Sequence, residues 1–250
     1  MLPFQLLEET GWQPDLDQLR EALEEGASFI LVTNPNNPTG AVLTEESMNG
    51  IVELADAYGA WILSDEVYRG AEVQGDETPS FWGRGDRVLV TNSLSKAYGL
   101  PGLRLGWLVG PPELMEDLWG RTDYTTISPS TLSDHLATVA LEPETRARIL
   151  ERTRKIIGEN FGTMKAWIEA QDGQFTYRPP DAGAICYVRY RSDVNSSELA
   201  EKLRAEKSLL VVPGDHFGMD RYLRLGFGNP RDELLDALAR IADTFRELEG

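Results

Sequence analysis

The sequence predicts an α/β protein: a mainly parallel sheet with helices on its faces, followed by a smaller α+β C-terminal unit. Three observations carry that prediction. Apolar strand patterns alternate with helical patterns from residue 28 to residue 120, the pattern of a sheet built from strand–helix–strand units. A long amphipathic pattern, Glu144 through Ala170, then carries basic residues along one side, and its length suits a connector. Beyond it, strand patterns dominate. The expected division is 1–143 for the larger domain and 144–250 for the connecting helix and smaller domain.

Taken in order, the strand patterns of the first part are residues 28–33, 60–65, 87–91 and 104–109, with helices at 44–58, around 112–120 and at 131–141. Thr44 is suited to cap the 44–58 helix, with Glu45 and Glu46 at its positive end. Leu43 and Met48 have the spacing of a hydrophobic staple across that cap. After the connector, strands are expected at 174–179, 184–190, 209–212 and 222–227, with helices at 196–206 and 231–248. The charges of the last helix read as a solvated face. The Trp and Phe residues scatter through the pattern as core candidates, and no internal repeat or low-complexity segment interrupts it.

The 250 residues suffice for a sizeable core, with 41% hydrophobic and 26% charged residues. The net charge of −17 and a pI near 4.5 argue against nucleic acid or anionic membrane partners. No apolar run approaches membrane-spanning length, and no signal peptide opens the chain, so a cytoplasmic setting is expected. The single cysteine, Cys186, lies in an apolar run and reads as a buried strand residue. His135 and His216 are far apart and lack metal-ligand spacing, so no metal is expected.

The most informative stretch runs Ser93-Leu94-Ser95-Lys96-Ala97-Tyr98-Gly99-Leu100-Pro101-Gly102-Leu103-Arg104. It follows the apolar strand Arg87–Thr91 and sets a lysine among hydroxyls at a strand end. A lysine held off bulk water loses proton affinity and becomes a usable nucleophile. Ser93, Ser95 and Arg104 are the donor types that hold a phosphate. A reactive amine beside a phosphate cradle points to a phosphorylated aldehyde, pyridoxal 5′-phosphate. The bland alternative is a solvated lysine in an ordinary Gly-Leu-Pro-Gly loop.

Three further runs bear on that choice. Thr33-Asn34-Pro35-Asn36-Asn37-Pro38-Thr39-Gly40 follows an apolar strand; it is either a simple strand-to-helix connection or a turn that presents the Asn37 amide where open α/β sheets bind ligands. Trp61-Ile62-Leu63-Ser64-Asp65-Glu66-Val67-Tyr68 ends another strand in carboxylates. Those acids are solvated turn residues, or Asp65 pairs with a protonated ring nitrogen while Tyr68 donates to a ring oxygen. In Tyr222-Leu223-Arg224-Leu225-Gly226, Arg224 points away from its flanking leucines. It is a solvated edge arginine, or it grips a carboxylate through two parallel hydrogen bonds.

With these four motifs in order, from residue 33 to residue 228, the chain resembles the class I/II aminotransferase family of fold-type I pyridoxal-phosphate enzymes. The resemblance implies a partial large domain of that fold plus the small C-terminal domain. It implies Lys96 as the amine that joins the cofactor and shuttles the substrate Cα proton, and Asp65 as the partner of the pyridine nitrogen. Asn37 and Tyr68 would hydrogen-bond the phenolic oxygen; Ser93, Ser95 and Arg104 would hold the phosphate; Arg224 would bind the substrate α-carboxylate, with Asn37 beside it. The implied reaction moves an amino group between an amino acid and a 2-oxo acid, in a homodimer.

The family's usual N-terminal portion, with further strands, a glycine-containing turn at the phosphate and an aromatic over the ring, has no counterpart here. The sheet is therefore expected to show an unpaired edge, and the 250-residue chain to bind the cofactor weakly and turn over poorly. Whether the chain is a fragment, an internally initiated product or a shortened homologue is open at this level. Two other functions stay open: elimination, β-replacement or cyclisation on the same scaffold, and a non-catalytic remnant that binds a partner. No arginine lies between Thr122 and Glu144, where dicarboxylate-specific relatives tend to carry one, although Arg121 sits just outside. Tyr124, Thr125 and Thr126 are either pocket or loop residues.

Overall fold

The computed structural model describes residues 1–249. The chain opens with a short antiparallel ribbon, β1 (Leu6–Leu7) and β2 (Gln13–Pro14), and then helix α1 (Leu16–Glu24). Asp15 caps α1 by accepting from the N–H groups of Asp17 and Gln18. The first sheet has strand order β3–β4–β5–β6, with β3 Phe29–Thr33, β4 Trp61–Asp65, β5 Val88–Ser93 and β6 Gly106–Val109. Strands β3, β4 and β5 run parallel, and α2 (Glu45–Tyr58) crosses from β3 to β4. Thr44 caps α2 through Ser47 N–H at 3.1 Å, and Leu43 and Met48 are both buried across that cap, as the sequence predicts.

Strand β6 is antiparallel to β5. The reason is the connection: a parallel return needs a crossover, but only a loop with a 3₁₀ turn, Pro101–Leu103, joins these two. The same turn explains why the strand expected at 104–109 begins at Gly106. Arg104 ends the turn in the left-handed region, at φ 49°.

One face of this sheet is dry. Ile30, Val32, Ile62, Val88 and Val90 pack with Leu19, Leu23, Met48 and Ile51 of α1 and α2. The opposite face is only partly covered: Leu89 is buried, but Phe29, Leu31 and Leu108 are 51%, 55% and 39% exposed. Strand β3 is one of the sheet's two edges, its outer side unpaired as expected, and an apolar groove of about 840 Å³ runs along it.

Helices α3 (Pro112–Thr122), α4 (Thr131–Leu141) and the 27-residue α5 (Pro143–Glu169) follow, close to their expected bounds. The second sheet is wholly antiparallel, in the order β7 (Phe175–Tyr177), β8 (Ile185–Tyr190), β10 (Tyr222–Gly226), β9 (Val212–Pro213). Helices α5, α6 (Ser196–Lys207) and α7 (Arg231–Glu249) cover it. Its core includes Ile157, Met164, Val188, Leu203, Leu223 and Leu238, and also takes in Leu94, Ala97 and Tyr98 from the loop after β5. Cys186 is fully buried, and that burial pushes its thiol up to about 12.

Two strand expectations need correction, and one helix is additional. The pattern at 174–179 forms a strand only to Tyr177, since Pro179 and Pro180 follow. The pattern at 209–212 gives only Val212–Pro213, which pairs with Leu223 and Arg224. The sequence reading assigned nothing to α1, whose polar surface hides a narrow buried stripe of Leu19, Ala22 and Leu23. No described helix is long and apolar enough to cross a membrane.

Candidate active site

The expected reaction groups gather at the carboxyl ends of the three parallel strands, where open α/β sheets bind ligands. β4 ends in Asp65 and β5 in Ser93. Asp65 accepts from Val67 N–H at 3.1 Å, which curls the chain so that Tyr68 follows directly above the strand end. Asn34 N–H donates to the Asp65 carbonyl at 2.9 Å, binding the start of the Asn-Pro run to the same place. The Asn34 side chain is fully buried and accepts from Leu43 N–H at 3.0 Å, so the loop that carries Asn37 is braced from within.

The lysine loop is fixed by local bonds. Ser93 Oγ accepts from Ser95 N–H at 3.2 Å, and Ala97 N–H donates to the Val67 carbonyl at 3.3 Å. That last bond lays the Lys96 turn on the Asp65–Tyr68 turn. Lys96 Nζ lies 5.9 Å from the centre of the Tyr68 ring. The sequence reading holds this lysine off bulk water; in the structure Lys96 is exposed, in the turn beyond the end of β5. Arg104 is also exposed and donates through Nη1 to the Pro101 carbonyl at 3.0 Å.

The clearest link is one between the two sheets. Arg224 Nη1 donates to Asn37 Oδ1 at 3.0 Å, and Asn37 Nδ2 donates to Tyr68 Oη at 3.5 Å. The sequence names all three residues, but it gives no sign that they form one chain. With its oxygen already accepting, Tyr68 has its own proton to donate. Burial pushes the Tyr68 phenol up, Arg224 opposes this and Asp65 adds to it, so the net direction is upward. Tyr68 is therefore a neutral donor at physiological pH. Arg224 faces away from the buried Leu223 and Leu225, as the alternation predicts.

One contributor escaped the sequence reading and another is corrected. Gly183 has φ 78°, and a Cβ there would come within 3.3 Å of the Tyr68 ring. The small-residue run Ala182-Gly183-Ala184 was its available signal. Glu66 is 2% exposed, and its Oε1 accepts from Phe81 N–H, Ser80 Oγ and Ser64 Oγ at 2.9, 3.0 and 3.2 Å. Burial raises its pKa against those three bonds. It is neither a solvated turn acid nor a reaction group, but a peg that holds the end of β4.

Other candidates fall away from the cluster. Tyr124 is 91% exposed in the turn after α3, and Thr125 and Thr126 bond back to Thr122. His135 and His216 are exposed, His216 in a 3₁₀ turn.

The donor set fits a phosphorylated pyridine aldehyde. An amine, a carboxylate and a neutral phenol share one strand-end surface, with two serines and an arginine on the adjoining loop. Comparison with known proteins gives the family and the fold. Residues 1–241 match the family model for aminotransferase class I and II, and the chain belongs to that family. It is 35% identical over 243 residues to capreomycidine synthase of Streptomyces vinaceus, and 28% identical over 255 residues to an aspartate aminotransferase of Streptomyces avermitilis. Each alignment covers 96% of this chain, but 61% and 62% of those proteins. Its fold matches a PLP-dependent aminotransferase structure from Streptococcus suis at TM-score 0.89 and 36% identity, covering 97% of this chain and 63% of that one. The chain thus spans about three-fifths of the length of the relatives it matches.

Proposed function

We propose that this chain carries the reaction groups of a pyridoxal-phosphate-dependent aminotransferase, which moves an amino group between an amino acid and a 2-oxo acid. The observation that carries the reading is the convergence of Lys96, Asp65 and Tyr68 at adjacent strand ends, with Arg224 tied to Tyr68 through Asn37. When bound, the cofactor supplies an electron sink for the bond cleaved at the substrate Cα. The protein supplies the rest. Lys96 Nζ would take the proton from the substrate Cα and, in an amino-group transfer, return it to the carbon on the far side of the amino nitrogen. The Asp65 carboxylate holds a proton on the ring nitrogen. Tyr68 and Asn37 orient the ring oxygen; Ser93, Ser95 and Arg104 hold the phosphate; and Arg224 holds the substrate α-carboxylate.

A second reading is a synthase, lyase or replacement enzyme on the same scaffold. Its support is the 35% identity to a protein named capreomycidine synthase, beside 28% to one named as an aminotransferase. Both readings use Lys96 and Arg224. One experiment separates them: mix the cofactor-loaded protein with an amino acid alone. An aminotransferase bleaches the visible band of the lysine-bound cofactor and yields one equivalent of 2-oxo acid. Catalytic release of ammonia, or a cyclised product, favours the second reading. No visible band at all removes both.

The whole protein is read as a cytoplasmic homodimer acting on small amino and oxo acids, with no nucleic acid or membrane partner. The acidic surface of net charge −17 supports the last point. A division into domains 1–143 and 144–250 is supported by the start of α5 at Pro143.

A further inference from the structure

Two of the proposed reaction groups have chain neighbours that end on one carboxylate. Arg69 directly follows Tyr68, and Tyr98 lies just beyond Lys96. Glu77 Oε1 is 2.8 Å from Arg69 Nη1 and 2.6 Å from Arg146 Nη2. Arg146, in the first turn of α5, donates through Nε to Tyr98 Oη at 3.1 Å. Arg69 Nε donates to the Thr78 carbonyl at 2.7 Å, beside Glu77 in the chain. The path is therefore closed: Tyr68 turn, Arg69, Glu77, Arg146, Tyr98, Lys96 turn. The Ala97-to-Val67 main-chain bond completes it on the inner side.

Isolated surface ion pairs contribute little. This case differs in two ways. The three charged side chains are only 26–32% exposed. Each arginine also makes a second, directional bond that fixes its fork, so ordering one partner orders the next. Tyr98 is 3% exposed and edge-on to Trp107, so the strap ends on a rigid group.

We propose that Glu77 and Arg146 are positioning residues that hold the Lys96 turn against the Tyr68 turn and so set the separation of amine and phenol. The proposal rests on the reading of Lys96 and Tyr68 as reaction groups. Because Arg146 belongs to α5, the strap also ties that setting to the helix leading into the second sheet.

The test compares the parent chain with Glu77→Gln, Arg146→Met and the conservative Tyr98→Phe. Hydrogen exchange of the cofactor-free proteins, read by peptide mass spectrometry, should quicken about tenfold over residues 94–100 in all three variants, with α7 unchanged. Only Glu77→Gln and Arg146→Met should also quicken residues 66–71. In the loaded proteins, kcat should fall about 10- to 100-fold with KM within about twofold. The visible band should titrate at a shifted pH. Unchanged exchange over 94–100, or a lowered melting temperature with an unshifted band titration, overturns the proposal. If the parent takes no cofactor on Lys96 while the exchange pattern appears, the reading of function fails and the strap stands.

Discussion

The two sheets divide the work unequally. The first carries the expected chemistry at its strand ends, yet only one of its faces is fully packed, and Phe29, Leu31 and Leu108 meet water on the other. The second contributes one reaction group, Arg224, from a strand whose neighbours Leu223 and Leu225 are 0% and 2% exposed. The lesson is that reactivity and stability sit in different halves. The groups proposed to meet substrate lie on an open surface. The arginine proposed to orient substrate is anchored beside a closely packed core, where displacing it costs most.

The strongest way to break this contrast is at Lys96. We expect Lys96→Ala to abolish the borohydride-trapped cofactor and to lower turnover by about 10⁴-fold. If trapping persists on a different lysine, the first sheet is not the seat of the chemistry. Arg224→Ala should leave trapping at Lys96 intact but raise KM for the amino acid about 10²-fold; an unchanged KM would detach the second sheet from substrate.

Stability should show the opposite asymmetry. Leu223→Ala is expected to cost about 2–5 kcal/mol in urea unfolding, because it empties a closed core. Leu31→Ala, on the open face, should stay within about 0.5 kcal/mol. Equal losses would mean that the first sheet is as tightly packed as the second.

The smallest effect concerns two buried glutamates. Burial raises the Glu72 pKa, but the Thr78 and Gly70 N–H groups and the Thr78 hydroxyl outweigh it, and the net direction is down. Glu72 also pairs with Arg154 of α5. A lowered carboxylate contributes stability above its unfolded titration range, and loses it as pH falls through the folded value. Glu72→Gln should therefore destabilise near neutral pH, with the difference vanishing in acid. Glu66 is shifted the other way, so its charge weighs against folding at neutral pH and the strain eases on acidification. Glu66→Gln should be neutral or stabilising near pH 7. Urea midpoints across pH would show both signs, and parallel behaviour of the two variants would refute the assignment.

Much of this was legible in the sequence because it is local. Thr44 before Glu45 and Glu46 announces a helix start, and Asn37, Asp65 and Lys96 each follow an apolar strand, so chain order alone sets them at one sheet edge. Period-two alternation turned Arg224 away from the core without any knowledge of its partner. What escaped depends on distant contacts. The link from Arg224 to Asn37 spans 187 residues, and nothing in either segment names the other. The antiparallel turn of β6 follows from the lack of a crossover helix, which an apolar pattern does not report. Lys96 reads as shielded because it lies among hydroxyls at the end of an apolar strand. Its exposure depends on how the turn beyond β5 packs, which the local sequence does not report.

The bond from Arg224 to Asn37 has a consequence for affinity. A free arginine side chain gives up about 2 kcal/mol of rotational freedom when it is frozen. Here Asn37 holds the guanidinium before any substrate arrives. On the proposed reading, an incoming carboxylate would meet a clamp already set, with the loss of disorder absorbed during folding rather than charged to each encounter.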